Sequence, residues 1–298
     1  MDLWKDRNWT PMLLNEIEEP FNSEEHIYEI KFDGLRALIF ANTNEVKVYN
    51  RRKKEITNLY PELQNIKYLV KRNTIFDGEI VIMENGIPSF SKLQNRSHLK
   101  NKNKIKLHSK NNPVIFICFD ILYDNKNLIN LTLLNRKKIL DKFKDNDYFI
   151  KSKYIDKKGI DLFNTIKKLN LEGIVAKRKK SLYEINKRSS SWLKIKNIKE
   201  EEFIICGYVE KESNYIISLV LGEYRNKDLY YVGRVTLAKK TSLYKQLKSE
   251  KIVKKSYLKD FYDQSINFIK PTLKCKVNYM ERTLNNHLRQ PFIKNNLH

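Results

Sequence analysis

Lys31 lies in the stretch Glu29-Ile30-Lys31-Phe32-Asp33-Gly34-Leu35-Arg36 and is the residue best placed to act as a nucleophile. A lysine attacks only as the neutral amine, which needs desolvation or nearby positive charge to lower its pKa. A basic pocket that binds a triphosphate and a metal ion would supply that field. Taken alone, Lys-x-Asp-Gly is short, and an ordinary hairpin edge is the simpler reading. Four later segments change the weight. Glu79 is a carboxylate inside the apolar run Phe76-Asp77-Gly78-Glu79-Ile80. Phe119, beside Asp120, is an aromatic within another apolar run. Glu172-Gly173 opens a further run that reaches Lys177. Lys194 and Lys196, in Trp192-Leu193-Lys194-Ile195-Lys196, share one face of a strand by their two-residue spacing. Two lysines on one face beside apolar neighbours are poor core material and good phosphate ligands.

The elements that must position these residues are mostly strands. Residues 27–49 alternate in a β-like way, with Asp33-Gly34 expected as a tight hairpin turn between 27–32 and 36–40. Residues 75–83 and 114–122 are apolar and β-branched, as buried strands are. Helical spacing marks 133–144 and 160–170, and strands follow at 173–177 and 192–196. Residues 96–112 are polar, basic and aperiodic. They are expected to form a solvated loop or a flexible arm that touches DNA phosphates. Beyond 197–201 the pattern changes to strands at 202–209, 215–223 and 229–237, with a helix near 241–251. That pattern suits a small β-barrel, an OB fold among the candidates. We therefore expect an α+β chain with one domain at 1–199 and a second at 200–298.

Composition narrows the function. Of 298 residues, 58 are Lys or Arg and 35 are Asp or Glu, a formal net charge of +23, which favours polyanionic partners. Asn, Lys and Ile are abundant, so an AT-rich genome also accounts for part of the lysine excess. Hydrophobic residues at 41% are enough for a core and argue against global disorder. Cys118, Cys206 and Cys275 form no Cys-x-x-Cys pair and read as reduced thiols. The charged N-terminus carries no signal peptide, and no run is long enough to span a membrane. The expectation is a cytoplasmic, monomeric protein.

In order along the chain, these motifs resemble those of the covalent nucleotidyltransferase superfamily and, within it, the ATP-dependent DNA ligases. The resemblance runs from Pro11-Met12-Leu13 to Arg289-Gln290-Pro291. It rests on residues 29–36, 76–82, 90–96, 118–123, 171–178, 181–196 and 275–291, and is strongest for the short two-domain bacterial, phage or end-joining type. It implies a nucleotidyltransferase (ATP-grasp-like ligase) domain of antiparallel sheets with helices, followed by a small OB-fold β-barrel.

The resemblance also implies a three-step reaction. Lys31 attacks the α-phosphorus of ATP and expels pyrophosphate. AMP passes to a 5′-phosphate at a nick, and the 3′-hydroxyl then attacks and expels AMP. Glu29 would read the adenine amino group and Phe119 would stack on the base. Arg36 and Arg51 would hold ribose or phosphate, and Asp33 would fix the local turn. Glu79 and Glu172 would lie near ribose and a Mg²⁺ or Mn²⁺ ion, and Lys194 and Lys196 on the α-phosphate. Lys177 matches less clearly. Nicked double-stranded DNA is the implied substrate, with a DNA end-bridging protein as a candidate partner. The +23 charge and residues 96–112 are expected to compensate for a missing N-terminal DNA-binding domain.

Two departures from the family pattern stand out. Asn186 takes the place of a turn glycine, which its tolerance of left-handed backbone permits. The family's terminal Arg-x-Asp-Lys element has no clear match, leaving Arg289 or Lys294 as candidate substitutes. The competing readings are an RNA ligase, a GTP-using capping-type enzyme, or a nucleic-acid-binding module without catalysis.

Overall fold

The computed structural model describes residues 1–210, 215–283 and 285–294. The chain divides into two compact units, Met1–Asn197 and Ile198–His298. In the first unit the strands are β1 (Leu13–Ile17), β2 (His26–Ile30), β3 (Leu35–Ala41), β4 (Val46–Asn50) and β5 (Thr74–Val81). Helices α1 (Phe90–Ser97) and α2 (Lys102–Asn111) follow, then β6 (Ile115–Asp124), α3 (Leu133–Leu140), β7 (Phe149–Lys151) and β8 (Tyr154–Asp156). The unit closes with α4 (Gly159–Lys168), β9 (Gly173–Arg178) and β10 (Arg188–Lys196).

These strands make two five-stranded sheets, ordered β1-β10-β9-β2-β8 and β4-β3-β5-β6-β7. The ladders are antiparallel except β1 with β10 and β6 with β7. Alternation along each strand sorts side chains between two faces. Tyr28, Ile174, Ala176 and Ile195 pack on Leu162, Phe163 and Ile166 of α4. Ala37, Ile39, Phe76 and Phe116 pack with Tyr60, Leu63, Ile66 and Leu93 on the outer side of the second sheet. The opposite faces meet in a third core that joins Ile27 and Trp192 to Leu38, Phe40, Ile75 and Leu122. The chemistry-bearing residues lie along this seam.

The structure corrects two local expectations. β2 and β3 are not paired, so residues 31–34 cross between sheets and Asp33-Gly34 is not a hairpin turn. Gly34 is not among the positive-φ glycines. Its role is close approach: a Cβ there would lie 2.3 Å from the Ile80 carbonyl oxygen. Residues 96–112 are also no loop, since they end α1 and form α2. Asn101 caps α2 by accepting from the backbone N–H groups of Asn103 and Lys104, and Ile105 anchors the helix in the core. Arg96 is buried, and its Nη2 donates to both Glu62 carboxylate oxygens at 2.9 Å. Asn186 does take the left-handed backbone, at φ 62°, and its Oδ1 accepts from Thr10 N–H at 2.7 Å.

The second unit has β11 (Lys199–Glu210), β12 (Ile216–Arg225), β13 (Asp228–Ala238), α5 (Ser242–Ser249), β14 (Asn267–Phe268) and β15 (Lys274–Tyr279). The sheet runs β13-β12-β11. The first half of β11 pairs with β15 and its second half with β14. Register shifts at Ile205/Gly207 and Leu221/Gly222 mark bulges, which bend strands. Among the described residues no ladder joins β13 to β15, so the sheet is not a closed barrel. All three cysteines are free and buried, and burial pushes the Cys206 and Cys275 thiols up to about 12. No helix among the described residues is long and apolar enough to cross a membrane.

Candidate active site

The last residues of β2 carry Glu29 and, one step beyond the strand, Lys31. Both point to the seam because Ile27, Glu29 and Lys31 alternate with Tyr28 and Ile30, which face α4. Register places Glu29 beside Val175 and Val175 beside Lys194. It places Lys177 between Ile27 and Trp192, and Gly173 beside Lys196. The Lys31 backbone N–H donates to Gly173 O at 2.9 Å. Gly173 has φ +151°, and a Cβ there would sit 2.1 Å from the Ile195 carbonyl oxygen. Only glycine lets β9 start so close to β10, and that start sets Glu172 against Lys31. Lys31 Nζ lies 2.7 Å from Glu172 Oε1, with both side chains partly exposed.

The second sheet supplies the facing wall. Arg36 and Glu79 are cross-strand partners on β3 and β5. Arg36 donates Nε and Nη2 to Asp77 Oδ1 and Oδ2 at 3.1 and 2.8 Å, and Tyr183 donates its hydroxyl to Asp77 Oδ2 at 2.6 Å. Glu79 is pushed up to about 8 by desolvation, with Lys31 and Arg36 opposing and Glu172 and Asp77 adding like charge. The Phe119 ring lies 5.4 Å from the Arg36 guanidinium and 4.5 Å from Lys177 Nζ, and meets Trp192 edge-on. Together Leu14, Glu29, Lys31, Arg36, Glu79, Phe119, Lys177 and Trp192 line most of a cleft whose empty volume is about 460 Å³.

Two groups at the floor were not legible in the sequence. Glu29 is buried, with Lys137 Nζ 2.6 Å from Oε1 and Lys177 Nζ 3.0 Å from Oε2. The Ser152 hydroxyl also donates to Oε2, at 2.9 Å. Burial opposes ionisation of Glu29, but Lys137 and Lys177 hold its carboxyl below the usual range. Lys177 is lowered to about 8 by burial and by Lys137, against the pull of Glu29. Lys137 and Ser152 belong to no motif. The available signal was that Lys137 shares the buried side of α3 with Leu133 and Leu140. A cation on an apolar helix face needs a buried partner.

Lys194 and Lys196 share one face of β10, the face that register gives to Glu29 through Val175; neither lines the cleft itself, and both reach Glu16 Oε2 of β1, at 2.9 and 3.0 Å. Arg51 is exposed in the turn after β4 and does not line the cleft. Asp33 lies on the crossover from β2 to β3 and has no turn to fix. In the second unit Arg289 pairs with Glu281 at 2.9 Å. Lys294 is described, and residues 295–298 of the C-terminal segment lie outside the described residues.

Residues 11–196 match the ATP dependent DNA ligase domain, and residues 212–296 match the ATP dependent DNA ligase C terminal region. The chain belongs to the ATP-dependent DNA ligases. It is 33% identical over 287 residues to the SPbeta prophage-derived DNA ligase-like protein LigB of Bacillus subtilis, covering 95% of this chain and 96% of that one. It is 30% identical to the multifunctional non-homologous end joining protein LigD of Mycolicibacterium smegmatis, of which it spans 38%. Among solved structures it is similar to mycobacterial DNA ligase D complexed with ATP and MES, with a TM-score of 0.60 and 26% identity over 96% of this chain and 94% of that one. The ligase therefore pairs a nucleotidyltransferase fold with an OB-fold C-terminal domain, and it is an enzyme that uses ATP.

Proposed function

We propose that this ligase seals 5′-phosphate/3′-hydroxyl nicks in duplex DNA through a lysyl-AMP and then a DNA-adenylate. In this reading residues 1–199 form the adenylation domain and 200–298 the OB-fold domain. The observation that carries it is the placement of Lys31. Its Nζ stands at a cleft with an aromatic, Phe119, on one side and two lysines, Lys194 and Lys196, on the strand beyond β9. A nucleotide with its base on Phe119 and its α-phosphate toward Lys194 and Lys196 presents phosphorus to Lys31. Glu172 Oε1, 2.7 Å from Nζ, is placed to take the proton that the amine must lose. Attack forms the N–P bond as the bond to pyrophosphate breaks. Arg36, fixed by Asp77 and Tyr183, holds one position and one fork orientation through the later steps. Ionised Glu29 at the cleft floor is an acceptor that suits the adenine amino group and repels the guanine carbonyl, which favours ATP over GTP.

Glu79 and Glu172 are the residues that fit a Mg²⁺ or Mn²⁺ ion. The upward shift of Glu79 marks a carboxyl short of compensating charge. Among the described residues no group of three or more His, Cys, Asp or Glu has metal-holding geometry, as suits an ion that takes one or two carboxylates and fills its shell with phosphate and water. When bound, the ion would neutralise charge on the phosphates.

Nicked duplex DNA is the proposed partner, with Arg51 the candidate contact to the nick's 5′-phosphate because it is exposed. A DNA end-bridging protein is a candidate by likeness to relatives named for end joining. The test is sealing of a nicked duplex with ATP beside a nicked RNA–DNA hybrid, a GTP reaction and an NAD reaction. ATP-dependent sealing of the DNA nick is expected. Preference for the RNA strand or for GTP would move the assignment to an RNA ligase or a capping-type enzyme.

A further inference from the structure

The two lysines proposed for the α-phosphate already share an anion. Glu16 sits on β1, directly beside Lys194 in the parallel ladder with β10. One oxygen, Oε2, lies 2.9 Å from Lys194 Nζ and 3.0 Å from Lys196 Nζ. That is the two-lysine, one-oxygen arrangement a non-bridging phosphate oxygen would adopt. All three side chains are accessible, at 25% for Lys194, 21% for Lys196 and 41% for Glu16, so a ligand can reach them and the carboxylate can swing to solvent. By contrast, the Arg136–Asp120 pair of the same unit is fully buried.

We infer that Glu16 is an intramolecular stand-in for the nucleotide α-phosphate: it holds Lys194 and Lys196 in their phosphate-binding positions and must be displaced when ATP binds. A phosphate and a carboxylate cannot both occupy that position, because two anions would meet within hydrogen-bond distance. ATP binding therefore includes breaking two partly exposed ion pairs, and Glu16 sets ATP affinity without touching the reacting atoms. This inference rests on the proposed phosphate role of Lys194 and Lys196.

The test measures transfer of label from α-labelled ATP to the full-length protein at a series of ATP concentrations. The proteins are wild type, Glu16→Gln, Glu16→Asp and, separately, Lys194→Ala. Inhibition by pyrophosphate is measured in parallel. Glu16→Gln is expected to lower the KM for ATP by about 3- to 10-fold, the size of two partly exposed ion pairs, with the rate at saturating ATP changed much less. Pyrophosphate should inhibit Glu16→Gln at lower concentration than wild type. Glu16→Asp, which keeps the charge, should lie nearer wild type. An unchanged or raised KM in Glu16→Gln, with Lys194→Ala defective, would overturn the inference and leave the site assignment standing. Normal labelling by Lys194→Ala would remove the phosphate reading and this inference with it.

Discussion

Two arginine pairs and two lysine sites in the first unit differ in exposure. Arg136–Asp120 and Arg96–Glu62 are closed: their side chains are at most 3% exposed, with Arg136 forking onto Asp120 through Nε and Nη2 and Arg96 giving Nη2 to both oxygens of Glu62. Each also donates to backbone carbonyls, Arg136 to Leu131 O and Ser181 O, and Arg96 to Ile105 O and Leu59 O. At and beside the cleft, Lys31–Glu172 and the two lysines on Glu16 are open, at 14–41% exposure. They use lysine, a single flexible point charge, in place of the planar fork. Arg136 ties α3 to β6 of the second sheet, and Arg96 ties α1 to the Glu62 segment between β4 and β5. In the reading proposed above, the open lysine pairs exchange with an incoming phosphate.

The largest expected effect breaks a closed pair. Arg136→Ala leaves Asp120 buried without its partner and should cost about 3–5 kcal/mol of stability, read as a lower Tm or loss of soluble protein. Glu16→Gln, at an open pair, should shift stability by less than about 1 kcal/mol. Equal shifts would erase the distinction.

Glu79 sharpens the comparison through pH. Its carboxyl is raised to about 8 in the fold and titrates near the ordinary value when unfolded. Between those values the folded protein holds a proton that the unfolded chain has released, so stability falls as pH rises through this window. Glu79→Gln removes that dependence. Its melting temperature should match or exceed wild type at pH 9, while nucleotide transfer falls by an order of magnitude or more, about the effect of losing one well-placed electrostatic group. A melting temperature lower than wild type at pH 9 would mean that Glu79 is compensated in the fold.

The smallest effect is on α2. From Glu84 to Asp120 the sequence has no acidic residue between its ends. Lys102, Lys106 and Lys110 recur every four residues on α2 and line a second, wider hollow of about 1710 Å³ empty volume. If they contact a DNA backbone, reversing all three to Glu should reduce the slope of log affinity against log salt by about 2–3, at roughly 0.9 per phosphate neutralised. An unchanged slope would leave α2 as a solvated face.

How much of this was legible depends on range. The strands around Lys31, Glu79, Phe119, Glu172 and Lys194 were readable because hydrophobic alternation and motif residues coincide within a few positions. The Asp33-Gly34 turn misled because a hairpin signal is local, whereas the sheet that β3 joins is decided by β4 and β5. Residues 96–112 read as loop because lysine and asparagine dominate, and the two contacts that make them helical, Arg96 with Glu62 and Ile105 with the core, lie far apart in sequence. Lys137 is more than a hundred residues from Glu29, so no spacing rule could join them. Glu16 likewise carries meaning only once β1 is laid parallel to β10.

The most direct measurement is covalent labelling from α-labelled ATP, followed by a chase with nicked duplex DNA, for wild type and Lys31→Ala. Label should attach to wild type, leave with the nick and be absent from a folded Lys31→Ala protein; retained labelling of that variant would contradict the central assignment.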